Sequence, residues 1–303
     1  MRPVDPSELL RLRAENDSLR ARLDALQAKL GPYPPGHFHS PIPDPEEVRR
    51  DQEAIFGAKD RELPGIDRRE AQQWALLDEL AKFAPDVRFA RHAEPGQRYH
   101  WDNRVFQYAD AFALYAMVRR LRPRRWIEIG SGFSSAVLLD TLDRHPEIQT
   151  ETLFIDPDSN RVDALLRESD RRRCEYLQQR VQDVPLARFE QLEAGDVLFI
   201  DSSHVSKIGS DVNWLFFEVV PRLPRGVYVH VHDIPPDFEY PRAWVDAGWA
   251  WNESYLLRAF LMFNPAFRIE LHPAYLAELD PLRCMRMLPE CPGVGTSLWL
   301  LRT

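Results

Sequence analysis

The stretch Arg125-Trp126-Ile127-Glu128-Ile129-Gly130-Ser131-Gly132-Phe133-Ser134-Ser135 reads as a buried strand that stops in a glycine turn and opens a helix. Trp126, Ile127 and Ile129 make the strand short and apolar. Gly130 and Gly132 permit a tight turn and a close backbone approach to a ligand. The helix expected over Phe133 to Leu142 aims its N-terminal N–H groups and positive dipole end at that ligand. Glu128 just ahead of the turn repels a pyrophosphate and suits a ligand that carries an ammonium group. Ser135 stands where the third glycine of a dinucleotide fingerprint belongs. A glycine turn after a strand is also a plain structural connection, so the surrounding chain has to decide.

The bulk composition narrows the class. The chain has 303 residues, and 44% hydrophobic content is enough for a substantial core. A net charge of −8 argues against a nucleic-acid or anionic-membrane surface. No apolar run approaches the ~20 residues of a membrane span, and the polar N-terminus lacks the apolar segment of a signal peptide. Cys174, Cys284 and Cys291 are odd in number and lack metal spacing, as expected of reduced thiols in a cytoplasmic protein.

Four segments are expected in order: a helix over 1–30, a linker over 31–45, a helical prelude over 46–98 and the main domain over 99–303. Leu9, Leu12, Asn16, Leu19, Leu23, Leu26 and Leu30 alternate spacings of three and four, which is a heptad seam. Asn16 falls on an a position, where a buried amide favours a parallel, in-register pair of helices. The pattern thus predicts a homodimer through residues 7–30, against the alternative of an amphipathic helix packed on its own domain. Six prolines in 31–45 read as an extended linker. Helices are expected over Asp44 to Phe56 and Asp67 to Phe83, the second burying Trp74, Leu77, Leu80 and Phe83. Tyr99-His100-Trp101-Asp102-Asn103 either closes over a cofactor or is ordinary aromatic packing.

From Arg125 onward, strands and helices alternate, which implies a parallel sheet with crossover helices. Strands are expected at Thr152–Ile155, at Glu175–Leu177 (extending as far as Val181), at Asp196–Asp201, at Gly226–Ile234, at Phe267–Leu271 and at Ser297–Leu301. A helix is expected near Asp211 to Leu223, and the proline-bearing 272–295 stretch reads as a loop. His230 and His232 share one strand face by the period of two.

This series of polar strand ends resembles class I S-adenosylmethionine-dependent methyltransferases of the O-methyltransferase type, from about residue 100 to the C-terminus. The resemblance implies a Rossmann-like α/β fold with a seven-stranded, mostly parallel sheet, helices on both faces and an antiparallel last strand. It implies S-adenosylmethionine bound by Glu128, Gly130, Ser131, Gly132, Asp156, Asp183 and Asp201, with Asp156 on the ribose diol and Asp183 at the adenine edge. Similarity to the metal-dependent members implies a divalent metal at Asp201, His232 and Asp233. A histidine in that set tilts the preference toward Mn²⁺, Fe²⁺ or Zn²⁺. An imidazole of ordinary pKa, about 6.5, is a competent base for a hydroxyl, and His204 ranks ahead of His232 for that role. Each histidine also has a structural reading, which prevails for His230 inside its strand. The expected reaction is O-methylation of a small-molecule or sugar hydroxyl. The rival readings are a Rossmann-like enzyme using NAD(P) and a catalytically inactive dimeric assembly module.

Overall fold

The computed structural model describes residues 6–57, 62–106, 108–287 and 295–303. Cys291 and the prolines at 289 and 292 lie outside the described residues. The chain divides into two compact units, residues 1–58 with 242–250 and residues 59–241 with 251–303. The 46–98 stretch is therefore shared between them.

In the first unit the seam forms one helix, Pro6–Leu30. Its Leu9, Leu12, Leu19, Leu23 and Leu26 are between 40% and 59% exposed in the single chain. Asp44 caps the next helix, Pro45–Arg50, by accepting the Glu46 N–H at 2.7 Å. The single helix expected over 44–56 is broken at Asp51 and resumes as Gln52–Phe56.

The second unit is built on a seven-stranded sheet. Its strands are β1 (Arg125–Ile129), β2 (Glu151–Ile155), β3 (Glu175–Leu177), β4 (Val197–Ile200), β5 (Tyr228–Val231), β6 (Phe267–Leu271) and β7 (Leu298–Arg302). They lie in the order β3-β2-β1-β4-β5-β7-β6, with β7 antiparallel to both its neighbours. The order reverses direction between β1 and β4, the place where open α/β sheets bind ligands.

Side-chain alternation divides the core. Trp126, Phe154, Phe199 and Trp299 face the helices Glu70–Leu80, Tyr108–Leu121 and Phe133–Arg144. Ile127, Ile129, Leu198, Ile200, Val229 and Val231 face the opposite layer, with Val212, Leu215, Val219 and Leu257. Truncating a fully buried aromatic such as Trp126 to alanine would cost about 3–5 kcal/mol. Trp74, Leu77 and Leu80 are buried as expected, and Phe83 is partly covered. Tyr99 and Trp101 are packed edge-on around Phe89 in this core, so their rings are structural. Arg98 beside them is 2% exposed and pairs with Asp140, Asp143 and both oxygens of Asp170.

Several boundaries differ from the sequence reading. β5 stops at Val231, so His232 and Asp233 lie just beyond the strand. The expected helix 211–223 opens as Asp211–Trp214, widens into a π-helical turn at Leu215–Val219 and closes as a 3-10 turn. Pro221 there has no N–H to continue an α-helical ladder. The expected loop 272–295 instead contains two helices, Pro273–Leu279 and Pro281–Met287. Proline at the first helical position is compatible with a helix because that N–H has no intrahelical partner in any case.

His272, at the end of β6, is 2% exposed and its Nε2 meets the Ile234 carbonyl at 3.0 Å. Burial pushes its pKa down to about 4, from an ordinary 6.5. The unfolded chain therefore binds a proton that the folded chain refuses. This contribution to stability is complete above pH 6.5 and is lost as the pH falls toward 4, by up to about 3 kcal/mol. Urea unfolding of the wild type and of His272→Gln should show a shallower loss of stability between pH 6.5 and 4.5 in the variant. Equal slopes in the two proteins would reject this assignment.

Candidate active site

The site begins at a backbone crossing. Gly130 adopts φ +79°, and a Cβ on it would lie 1.9 Å from the Asp201 carbonyl oxygen. The Asp201 N–H donates to the Ile129 carbonyl at 2.8 Å, which brings the ends of β1 and β4 together. Only glycine fits there. Gly132 is different. Its φ of 176° is extended, and an added Cβ would meet only the movable Arg161 side chain.

Glu128 is fully buried and turned into the protein. It accepts hydrogen bonds from the Ser134 and Ser135 hydroxyls at 2.7 and 2.6 Å and from the Trp126 indole at 3.1 Å. Burial raises its pKa to about 7 against the pull of those donors. Ser135 Oγ also accepts the Gly132 N–H at 3.0 Å, so the serine in place of the third glycine ties the turn to Glu128. The side chain expected to meet a ligand ammonium therefore holds the turn in shape.

Outside this turn lies a cleft of about 440 Å³, lined by Gly130, Asp156, Arg180, Gln182, Asp201 and Lys207 among others. Asp156 accepts the Ser131 and Asp158 N–H groups at 2.8 Å each. Asp183 does not line the cleft. It is exposed and paired with Arg180 at 2.8 Å, while its neighbour Gln182 lines the cleft. The Ser131 hydroxyl is buried and has no hydrogen-bond partner among the described residues.

At the far side of Asp201 sits a cluster of acids and histidines. His204 Nε2 lies 3.4 Å from Asp201 Oδ1 and 3.4 Å from Asp233 Oδ2, and His204 Nδ1 lies 2.8 Å from Glu253 Oε2. His204 and Asp233 both take left-handed backbone angles, φ 59° and 57°, which cost of order 1–3 kcal/mol each and tend to mark functional sites. The Thr296 hydroxyl donates to Asp233 Oδ1 at 2.9 Å. Asp110, itself buried, holds that segment by accepting the Thr296 and Ser297 N–H groups.

The ligand atoms of Asp201, His204 and Asp233 all lie within 4.8 Å of one another, a geometry that can converge on one cation. The histidine in this group is His204, where the resemblance had implied His232. His232 is 3% exposed, its Nε2 stands 3.7 Å from Asp233 Oδ1, and its ring lies against Phe106. His230 is fully buried, stacked on Phe199 at 3.8 Å, and bonded to Ser297 Oγ at 3.0 Å, as a structural histidine should be.

The surroundings of His204 set its electrostatics. Burial alone would lower its pKa, but the hydrogen bonds to Asp201 and Glu253 outweigh burial and raise it to about 10. Burial would likewise raise Asp201, yet His232 and His204 hold it below the usual carboxylate range. The acids around the His204 ring thus favour its charged form. The proton occupies a site whose surroundings favour a positive charge.

Sequence reasoning missed Glu253 and Asp110. Both stand in the first turn of a helix, Glu253–Leu261 and Tyr108–Leu121. An acid there reads as an ordinary partner for the helix dipole.

Residues 127–234 match the family model described as a methyltransferase domain. An uncharacterized protein of Archaeoglobus fulgidus is 37% identical over 167 residues, which is 53% of this chain and 74% of that protein. Among solved structures, the O-methyltransferase TomG from Streptomyces achromogenes, involved in tomaymycin synthesis and in complex with SAM, is 14% identical. The match covers 85% of this chain and 96% of TomG, at a TM-score of 0.41. CmcI with Mg and SAM is 20% identical over 73% of this chain and 84% of its own, also at 0.41. The chain therefore carries a methyltransferase domain over residues 127–234.

The crossing at Gly130 gives a paired prediction. Gly130→Ala should destabilise the fold by more than about 2 kcal/mol, because its Cβ meets a carbonyl that cannot move without separating β1 from β4. Gly132→Ala should cost clearly less. Thermal melts of the two variants check this, and similar melting temperatures would contradict the crossing.

Proposed function

We propose that this chain transfers the methyl group of S-adenosylmethionine to a hydroxyl of a small molecule or sugar, with a divalent cation beside the acceptor. One observation carries the reading. Asp201 is shared by the cleft at the end of β1 and β2 and by the Asp201–His204–Asp233 cluster. A cofactor in the cleft would therefore present its sulfonium next to the acids that receive the acceptor.

The residues fit the cofactor by their chemistry. Asp156, at the rim of the cleft, still has lone pairs for a ribose diol beyond the two N–H groups it accepts. The backbone of the glycine turn at Gly130 offers polar contacts to the amino-acid end. Trp251, its ring 4.2 Å from that of His204, offers a flat apolar wall for the acceptor.

Asp201, His204 and Asp233 would hold the cation. One imidazole and two carboxylates suit Mn²⁺, Fe²⁺ or Zn²⁺ as well as Mg²⁺. When bound, such an ion supplies positive charge that makes an acceptor hydroxyl more acidic. The chain's own task is to orient that hydroxyl in line with the sulfonium. The oxygen–carbon bond forms as the sulfur–carbon bond breaks, the sulfur keeping that electron pair, the hydroxyl proton passes to water, and S-adenosylhomocysteine is released.

Calorimetry tests both halves without knowledge of the acceptor. S-adenosylmethionine should bind the wild type, and Asp156→Ala should weaken it at least ten-fold. His204→Ala should abolish Mn²⁺ binding and leave cofactor affinity within about three-fold. Folded protein that takes up no S-adenosylmethionine at millimolar concentration would refute the cofactor site, and Mn²⁺ binding that survives in His204→Ala would refute the cation site.

We also propose a homodimer through residues 7–30. With Leu9 and Asn16 at a positions, Glu8 and Glu15 fall at g and Arg13 and Arg20 at e. A parallel, in-register pair sets each glutamate against an arginine of the second copy, whereas an antiparallel pair sets arginine against arginine. Light scattering should read a dimer for the full chain and a monomer after deletion of 1–31. An unchanged mass would reject the seam.

A further inference from the structure

We propose that Glu253 is a positioning residue that fixes the His204 ring by accepting its Nδ1–H and so presents Nε2 to the gap between Asp201 and Asp233. This rests on the reading of that gap as a cation site.

The geometry isolates Glu253 as a part made for this ring. It is fully buried, and its two oxygens have separate tasks. Oε2 faces His204 Nδ1 at 2.8 Å, and Oε1 accepts the Ser202 hydroxyl at 3.0 Å. Ser202 Oγ in turn accepts the His204 N–H at 3.1 Å. The His204 carbonyl accepts the Asn252 and Glu253 N–H groups at 3.0 and 3.1 Å. Backbone and side chain of His204 are therefore both gripped by the start of one helix, Glu253–Leu261, that lies far away in the chain. Trp251 covers the ring from the side.

Without that acceptor an imidazole can turn over and exchange the positions of its two nitrogens. A hydrogen bond to an ionised carboxylate biases the held orientation by roughly ten- to a hundred-fold. The arrangement matches a general device of metal centres, in which the ligand histidine donates its other N–H to a carboxylate and loss of that partner weakens metal binding about 10–100-fold. Burying an unpaired carboxylate is costly, and Glu253 has the imidazole as its one charged hydrogen-bond partner among the described residues.

The test compares Glu253→Leu, which removes the acceptor, with Glu253→Gln, whose amide oxygen can still accept the Nδ1–H. Mn²⁺ affinity is measured by calorimetry, and S-adenosylmethionine affinity reports correct folding. Proton NMR follows the buried Nδ1–H, identified by its loss in His204→Ala, as a downfield and slowly exchanging resonance. Glu253→Leu should lose 10–100-fold in Mn²⁺ affinity and lose the resonance, while Glu253→Gln should stay within a few-fold of wild type and keep it. A leucine variant with wild-type Mn²⁺ affinity, or with the resonance intact, overturns the proposal. If the leucine variant does not fold, Glu253→Gln decides, and loss of its resonance overturns the proposal. If wild-type protein binds no Mn²⁺, the cation reading falls, and the resonance in the two variants alone decides whether Glu253 holds the ring.

Discussion

The close crossing of Gly130 and the Asp201 carbonyl is the constraint on which the rest of the site depends. Two parallel strands that run side by side diverge where their loops begin. Here the absence of a Cβ at Gly130 and the hydrogen bond from the Asp201 N–H to Ile129 keep the ends together for one more residue. Glu128 fastens the same turn from below through Ser134 and Ser135. Asp201 is thereby carried to the border between the cleft and the acidic cluster, where one carboxylate can serve both.

Around that point the protein concentrates groups that are expensive to bury. Asp201, Asp233 and Glu253 surround a single imidazole, and two of the four residues hold left-handed backbones. Each burden is met by a specific partner. Thr296 donates to Asp233, Asp110 secures Thr296, and Ser202 bridges His204 and Glu253. The surrounding core supplies the stability that such a site consumes, with large aromatics and branched aliphatics filling both faces of the sheet. The Arg98 network does comparable work between the helices Phe133–Arg144 and Glu168–Arg173, where its buried charges are tolerated because they are paired.

Much of the fold was legible because strands buried on both faces leave apolar runs that end in glycine, proline or acid. All seven strands were visible in this way, including the antiparallel β7. Helices with internal breaks were less so. The π turn at 215–219 depends on local hydrogen-bond geometry, and the helices that begin at Pro273 and Pro281 use proline where its sequence signal normally suggests a loop. In the site, Gly130, Asp156, Asp201, His204 and Asp233 were marked by standing at strand ends. Asp183 and His232 were marked by the same logic, but one pairs with Arg180 at the surface and the other turns toward Phe106.

The sequence by itself determined the sheet and the glycine turn, since these follow from hydrophobic period and from residues that must sit where a strand ends. Only the tertiary structure decided which histidine joins the two aspartates, and that Glu128 faces inward. It also brought Glu253 to His204 across 49 residues of chain. The physical reason is direction. Sequence spacing assigns a residue to an element and a face, whereas a site is made where side chains from separate elements point to one place. That convergence is set by packing and by loops with unusual backbone angles, which leave no periodic trace in the chain.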